Sequence, residues 1–146
     1  MMTEKEIFEK LNMIAKEVQE TEPGRMNSLL SPVPIKCDPE TQTAEIRYEA
    51  KDWERNHRGE LHGGAVAAMF DTSMGMSLLA FTDHYSVATA DLSVSYIRPF
   101  MGGSFIFEVN VIRAGRSMAR LRAVAKDEAT GKILASATSN FVYADK

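Results

Sequence analysis

The stretch HGGAVAAMFDTSMGMSLLAFT, residues 62–82, decides the fold of this chain. Away from its ends it is almost wholly apolar or small, and a helix that is apolar on nearly every side must be surrounded by other elements. Asp71 is its one carboxylate, and a buried charge is costly unless it is paired or neutralised. The stretch therefore predicts a long central helix, beginning near His62, that carries a charged group in need of a partner.

The segments on either side of this helix predict an antiparallel sheet. Residues 33–37 and 44–50 read as two strands joined by a turn, and residues 51–61 are polar and irregular. After the helix, alternating apolar residues predict four strands in a meander, at 86–97, from 105 to the turn at 114–115, around 121–125 and at 133–141. The pattern predicts an α+β protein in which a curved sheet of five or six strands wraps round the helix.

The N-terminal residues predict one further helix. Ile7, Leu11, Ile14 and Val18 recur at helical spacing, which gives residues 3–20 a single apolar stripe. Pro23 and Gly24 end this helix, and residues 25–31 read as a loop. Because no repeat or linker interrupts the chain, we expect a single domain over 1–146, with the amphipathic helix occupying 1–22.

Composition excludes several classes of function. The 146 residues carry a net charge of −3 and a single cysteine, Cys37, which disfavours binding to nucleic acid and rules out an intramolecular disulfide or a CxxC metal site. The three histidines are scattered, so we predict no metal site. A membrane span needs roughly 20 apolar residues, but the glycines and Asp71 lower the hydrophobicity of 62–82. With no apolar signal segment at its start, the chain is expected to be cytoplasmic and not bound to a membrane.

Small residues and the helix start suggest a site. Gly64, Ala67, Asp71 and Gly75 recur every three or four residues and share one stripe, where another element can approach closely. The glycines at 63–64 open the helix, and the N–H groups there have no intrahelical acceptor and carry the positive end of the helix dipole. Such groups can stabilise a carbonyl oxygen that becomes negative during acyl transfer.

Gly63 and Asp71 are too far apart to act on one small group from the same helix. Eight residues of helix span roughly 12 Å. An antiparallel copy of the helix in a twofold dimer would bring Asp71 of one chain opposite Gly63 of the other. The pattern leaves a second interpretation open, in which Asp71 is a hydrogen-bonded structural group and the glycines only form a tight helix entry.

The same residues resemble a known family. Residues 56–64, NHRGELHGG, followed by Asp71 and Gly75, match the pattern N-x-x-G-x-x-H-G-G-x6-D-x3-G of hotdog-fold thioesterases of the phenylacetyl-CoA, PaaI-like type. Residues 88–99, ATADLSVSYIRP, are similar to a strand of that family. The resemblance runs from about residue 30 to 143 and implies a hotdog fold that hydrolyses an acyl-CoA thioester without a cofactor other than the coenzyme A of its substrate.

The resemblance also implies roles for five residues. Asp71 would attack the thioester or activate water, and the Gly63 N–H of the other subunit would polarise the thioester carbonyl. Asn56 would orient that carbonyl or the water, and Thr89 would hold the water beside Asp71. His62 would support the same region or the leaving sulfur. The family implies a homodimer with shared sites, assembled into a homotetramer.

Gly64, Arg98 and Arg116 are the residues predicted to bind the rest of the substrate. Arg116, Arg120 and Arg122 are predicted on one strand face, with Arg113 across the turn; guanidinium groups suit the phosphates of coenzyme A, although such a face can also be plain solvated surface. Asp91 is predicted on the same strand face as Thr89, either lining the site or bonded structurally.

The predicted function is therefore an acyl-CoA thioesterase acting on a small aromatic or a short- to medium-chain acyl group. One alternative is a hotdog module that binds acyl-CoA without hydrolysing it. A hydratase or dehydratase of the same fold is a further alternative, but no histidine follows Asp71 at the spacing that those enzymes use.

Overall fold

The long central helix predicted from residues 62–82 is present as α3, Gly63–Phe81. The structure is a computed structural model and describes residues 2–145. The side chain of His62 caps α3 by accepting a hydrogen bond from the Gly64 N–H. At the other end, the Lys10 ammonium donates to the Thr82 carbonyl, where a positive charge complements the helix dipole. By length and composition, α3 could span a membrane. Ten of its residues are buried, however, and more than half of its apolar stretch lies inside the protein.

Six strands surround α3. They are β1 (Val33–Asp38), β2 (Thr43–Glu49), β3 (Val87–Tyr96), β4 (Ser104–Ala114), β5 (Met118–Asp127) and β6 (Ile133–Tyr143). All neighbouring pairs are antiparallel, in the order β1-β2-β4-β5-β6-β3. Because α3 packs against β2, β3, β4, β5 and β6, the sheet curves round it, as the sequence predicts.

The predicted four-strand meander is wrong for β3, which pairs with β6 and not with β4. Residues 97–103 carry the chain from the edge strand β3 past β6 and β5 to β4, which lies between β2 and β5. Their backbone is held on the way, because the N–H groups of Ile97 and Arg98 both donate to the Leu134 carbonyl. The carbonyls of Phe100 and Gly103 then accept from Leu61 and Ala50. The alternation of apolar residues along the sequence does not reveal these long-range hydrogen bonds, so it does not predict the position of β3.

The N-terminal helix is present as α1, Glu4–Thr21, and packs on β1 and α3. The side chains of Ile7 and Leu11 are buried there, as the apolar stripe predicts. Thr3 caps α1 in a capping box with Glu6.

Residues 25–31 are not the predicted loop, because Met26–Leu30 forms a short helix, α2. The Leu30 side chain is fully buried, and the Asn27 amide oxygen accepts a hydrogen bond of 2.7 Å from the Thr72 hydroxyl on α3. Tertiary contacts of this kind fix a helix too short to be stable alone.

Candidate active site

Asp71 lies in the middle of α3, half-buried, and has a partner on β3. The Thr89 hydroxyl donates to Asp71 Oδ1 at 2.5 Å. The cost of placing a carboxylate within an apolar helix is therefore offset by a charge-assisted hydrogen bond from the neighbouring strand.

A β-bulge in β3 places Thr89 opposite Asp71. Thr89 pairs with Phe141 and Asp91 pairs with Asn140, so one residue of β3 has no partner between them. The Phe141 ring lies next to Gly75 of α3, whereas the Asn140 amide donates to Asp91 on the other face at 2.9 Å. The prediction that Thr89 and Asp91 share a face is therefore wrong, because the extra residue reverses the alternation. Asp91 points away from Asp71.

Among the described residues, the N-terminus of α3 keeps two N–H groups available, those of Gly63 and Ala65. The Gly64 N–H donates to His62 Nδ1 at 2.8 Å, so His62 caps the helix and the N–H of Gly64, a residue predicted to bind substrate, is already occupied. In residues 2–145 the Gly63 N–H has no hydrogen-bond acceptor. The Tyr96 hydroxyl donates to the Gly63 carbonyl at 2.5 Å, and partial burial raises the pKa of this phenol. Gly63 is thus held from β3 through its carbonyl, which belongs to the peptide that follows its free N–H.

Asn56 is fixed in the loop that leads into α3. Its amide oxygen accepts from the Arg58 N–H at 2.9 Å, and its amide nitrogen donates to Glu60 Oε1 at 3.1 Å. Glu60 also pairs with the Arg58 guanidinium. The hydrogen bonds from Arg58 and then Asn56 lower the pKa of Glu60, so Glu60 is a fixed negative acceptor that sets the orientation of the Asn56 amide.

One cleft, of about 380 Å³, brings together three of the predicted site residues: Asn56, Gly63 and Arg98. We call it the polar cleft, because Arg58 and Glu60 also line it. The Arg98 side chain donates to the Ile133 carbonyl at 2.6 Å. Asp71 and Thr89 do not line this cleft. Within one chain the structure therefore forms two separate groups of site residues. One contains Asn56, Gly63 and Arg98, and the other contains Asp71 and Thr89, about two turns further along α3.

The arginines at the β4–β5 turn surround a second cleft, of about 430 Å³, to which Arg113, Arg116 and Arg120 contribute. Arg116 lies in the turn and not on the strand face predicted for it, because β5 begins at Met118. Arg122 does not line the cleft, and its guanidinium donates to Asn110. Among the described residues no carboxylate lines this cleft, so the charged side chains on its walls are all arginines.

Sequence reasoning missed two polar residues around the helix start, Tyr96 and Glu54. Tyr96 is part of the stretch 88–99 but is assigned no role. Glu54 lies in the segment 51–61, which is predicted to be irregular, yet its side chain is buried. The only feature of the sequence that points to it is its position two residues before Asn56. Residues 2–145 contain no group of three His, Cys, Asp or Glu side chains that could hold a metal ion.

Proteins of similar sequence carry the names of esterases and thioesterases. The profile of the family described as the thioesterase superfamily matches residues 58–134, from the loop before α3 into β6. A protein of Saccharolobus solfataricus named as an esterase is 30% identical over 97 residues, which are 66% of this chain and 67% of that protein. Acyl-coenzyme A thioesterase 13 of Mus musculus is 24% identical over 102 residues, which are 69% of this chain and 71% of that protein.

Solved structures share the fold. A phenylacetic acid degradation-related protein of Ralstonia eutropha JMP134 superimposes with a TM-score of 0.77 at 25% identity, over 91% of this chain and 98% of that one. The family profile covers Gly63, Asp71 and Thr89, whereas Asn56 lies two residues before its first matched position.

Proposed function

Since the chain belongs to the thioesterase superfamily, with the hotdog fold and the activity of a thioester hydrolase, we propose that it hydrolyses small aromatic or short- to medium-chain acyl-CoA esters. The pairing of Asp71 with Thr89 carries this proposal. A thioester is an activated acyl group, so a positioned carboxylate and an oxyanion site suffice for its hydrolysis. Asp71, half-buried on α3 and held by the Thr89 hydroxyl, supplies the positioned carboxylate.

In the general-base route, Asp71 takes a proton from water while the water oxygen bonds to the thioester carbon. The carbonyl oxygen becomes negative and accepts a hydrogen bond from the Gly63 N–H. The carbon–sulfur bond then breaks, Asp71 returns the proton to the sulfur, and a carboxylic acid and free coenzyme A leave. Thr89 occupies Oδ1 of Asp71, so Oδ2 is the oxygen that acts.

In the alternative route, Asp71 itself bonds to the thioester carbon, the carbon–sulfur bond breaks and coenzyme A leaves as its thiolate, which takes up a proton. Water then opens the resulting anhydride, which releases the carboxylic acid and restores the Asp71 carboxylate. A single turnover in ¹⁸O water distinguishes the two routes. Label enters the Asp71 carboxylate only through the anhydride.

We propose that the site is shared between two copies of the chain. Asp71 and Gly63 lie two helical turns apart, roughly 12 Å, so neither group of site residues is complete alone. β3 supports this arrangement, because it is at the end of the sheet and is exposed along most of its length. An unpaired edge strand of ten residues is a ready surface for a second copy. The minimal assembly is then a homodimer, and a homotetramer is the state that the family resemblance implies.

The second cleft suits the coenzyme A portion of the substrate. Arg116 lies between Arg113 and Arg120, and guanidinium groups bind phosphate through paired hydrogen bonds. Arg98 and Asn56 border the polar cleft beside Gly63, where we place the thioester.

An assay of acyl-CoA esters with a thiol reagent, wild type against Asp71→Ala, tests the function. We expect turnover of at least one ester by the wild type and a loss of at least about 10²-fold in kcat in the variant, the scale of a general base. Binding of CoA esters without any turnover would instead identify a non-catalytic binding module.

A further inference from the structure

Tyr96, the last residue of β3, contacts the start of α3 through both its hydroxyl and its ring. The hydroxyl donates to the Gly63 carbonyl at 2.5 Å. The side chain also packs beside the same glycine, since a Cβ added to Gly63 would lie 3.4 Å from the hydroxyl oxygen. Tyr96 and Gly63 line the polar cleft together. A residue of the edge strand thus reaches the glycine that we propose as the oxyanion donor.

Two peptide groups at the helix start decide where the Gly63 N–H points. The N–H belongs to the peptide that joins His62 to Gly63, and the carbonyl of this peptide accepts from the Val66 N–H at 3.1 Å. The next peptide joins Gly63 to Gly64 and is held at both ends. Tyr96 donates to its carbonyl, and its N–H donates to His62 Nδ1 at 2.8 Å. Only the two backbone dihedrals of Gly63 lie between these peptides, so holding both fixes the direction of the free N–H.

A glycine at this position needs such a restraint. Without a Cβ, glycine reaches φ and ψ values that are closed to other residues, and two glycines in succession, at 63 and 64, leave the peptides of the helix start free to tilt. An oxyanion donor contributes fully only when it is aimed beforehand at the place where the negative charge develops. A hydrogen bond from a neighbouring strand to the Gly63 carbonyl supplies this alignment.

Tyr96 is itself held firmly enough to act as a support. Its backbone pairs with Ala135 of β6. The N–H groups of Ile97 and Arg98, which follow it, both donate to the Leu134 carbonyl. The phenol therefore projects from a fixed part of the backbone. Partial burial raises the pKa of Tyr96 above the ordinary value of 10.0, so the hydroxyl stays protonated and able to donate at neutral pH.

We propose that Tyr96 is a positioning residue of the thioesterase reaction, whose hydroxyl acts through the Gly63 carbonyl to hold the Gly63 N–H in line with the thioester oxygen. This inference rests on the proposed thioesterase function. The Tyr96 hydroxyl is occupied by Gly63, so it does not itself bind the reacting atoms. Its contribution increases when the carbonyl oxygen becomes negative, and it therefore stabilises the transition state more than the bound substrate.

With this role, β3 holds both groups of site residues. Thr89, near the start of the strand, donates to the Asp71 carboxylate. Tyr96, at the end of the strand, donates to the Gly63 carbonyl. Both bonds run from a hydroxyl of β3 to an oxygen of α3. The strand thereby sets the positions of the carboxylate and of the oxyanion donor relative to one sheet.

The first test replaces Tyr96 with phenylalanine, which keeps the ring and removes the hydroxyl. In an assay of acyl-CoA esters with a thiol reagent, Tyr96→Phe should lower kcat by about 5- to 10-fold, the scale of one hydrogen bond between neutral groups. KM should stay within about 2-fold of the wild type, because the lost interaction belongs to the transition state. Tyr85→Phe is the matched control and should keep the wild-type kcat, since Tyr85 is exposed and lines neither the polar cleft nor the second cleft.

A double variant shows whether Tyr96 acts through the Gly63 N–H. Gly63→Pro removes that N–H, which leaves Tyr96 nothing to align. In single turnovers, Tyr96→Phe should therefore change the rate by less than about 2-fold in the Gly63→Pro background. A hydroxyl that only stabilised the fold would lower the rate by the same factor in both backgrounds, because independent effects multiply.

A pH profile separates the hydroxyl from the ring. Replacing Tyr96 alone with 3,5-difluorotyrosine keeps the ring and the hydroxyl but lowers the pKa of the phenol into the range of the assay. Because only the protonated phenol donates, kcat should fall as pH rises through that pKa, which the absorbance of the phenolate measures independently.

The profile of Tyr96→Phe is the control for the other groups that titrate or carry charge beside the phenol. These are Arg58, Glu60 and Arg98 in the polar cleft and His62 at the helix start. All four are present in Tyr96→Phe, so its profile should lack the fall that belongs to the fluorinated phenol.

The outcomes separate this inference from the proposed function. Absence of turnover with every acyl-CoA overturns the thioesterase, and the role of Tyr96 with it. Turnover in which Tyr96→Phe keeps the wild-type kcat, raises KM in place of lowering kcat, or loses the same factor in the Gly63→Pro background overturns the role of Tyr96 alone. A melting curve for each variant shows that it is folded. Should Tyr96→Phe fail to fold, the fluorinated protein still decides, because a kcat that does not respond to ionisation of its phenol also overturns the role.

Discussion

The Thr89 hydroxyl lies 2.5 Å from Asp71 Oδ1 and joins the middle of the core helix to the edge strand of the sheet. Thr89 reaches this position because a β-bulge in β3 turns it towards α3. The neighbouring carboxylate, Asp91, faces the other way and bonds to Asn140. β3 therefore carries one polar group that serves Asp71 and one acidic group that does not.

Replacing Asp71 with asparagine should lower kcat by at least about 10²-fold, because the amide cannot take the proton of water or attack the thioester. The size of the side chain is kept, and its oxygen can still accept from Thr89. Steady-state kinetics with the best ester of the panel measure the effect. Asp91→Asn is the matched control and should stay within about 2-fold of the wild type, as surface substitutions do. More than a tenth of the wild-type kcat in Asp71→Asn would exclude Asp71 as the reacting group.

Replacing Thr89 with valine should lower kcat by about 10-fold, the scale of one hydrogen bond to a charged group. Valine keeps the branched shape but removes the hydroxyl that holds Asp71 Oδ1. Thr89→Ser keeps the hydroxyl and should retain most of the activity. If Thr89→Ser and Thr89→Val lose the same activity, the methyl group and not the hydrogen bond is what β3 supplies.

The sequence predicts the helices whose apolar residues follow a regular pattern over many positions. The apolar run at 62–82 becomes α3 and the stripe at 3–20 becomes α1, within a residue or two. Each depends on a local periodicity that the chain displays over many residues. The motif at 56–75 and the stretch 88–99 together contain the residues of the two site groups.

Features that depend on contacts distant in sequence are not predictable in this way. The pairing of β3 with β6 is held by the crossing segment 97–103. The bulge beside Thr89 is set by its pairing with β6, so alternation counted along β3 alone places Asp91 on the wrong face. α2 forms because Leu30 is buried and Asn27 is bonded to α3. Glu54 is charged and is therefore read as exposed, although the fold buries it.

Mixing two inactive variants tests whether the site is shared between two chains. Gly63→Pro removes the free N–H, and proline is tolerated at the first position of a helix. His62 already has φ −60° and ψ 137°, the extended conformation that a residue before proline requires. Alone, Gly63→Pro should lower kcat by about 10²- to 10³-fold, the cost of one oxyanion donor.

Co-expressed Gly63→Pro and Asp71→Asn chains should then recover activity. In a mixed dimer one site combines both changes and the other has neither, so random pairing gives about a quarter of the wild-type activity. The control is a mixture of two separately purified variants assayed before their subunits exchange, which should stay inactive. Failure of verified mixed dimers to recover activity would show that each chain completes its own site.

The buried Glu54 predicts a specific pH dependence of stability. Burial raises its pKa above the ordinary value of 4.5, against the opposing effects of the Lys51 N–H bond and the charges of Lys51 and Arg55. The folded state therefore binds this proton more tightly than the unfolded state does. As a result, the contribution of Glu54 to the free energy of unfolding falls as pH rises from below 4.5 through the raised value. Above that value the ionised carboxylate is buried with Oε2 unpaired.

Glu54→Gln removes this titration and keeps the acceptor for the Lys51 N–H. The free energy of unfolding of Glu54→Gln minus that of the wild type should therefore be more positive at pH 7.5 than at pH 4. Urea denaturation of both proteins at the two pH values gives the difference, in which the titration of all other groups cancels. Glu17→Gln, at an exposed position, should show no such change. A difference that is constant with pH, or larger at pH 4, would mean that the ionised form of Glu54 is not destabilised by burial.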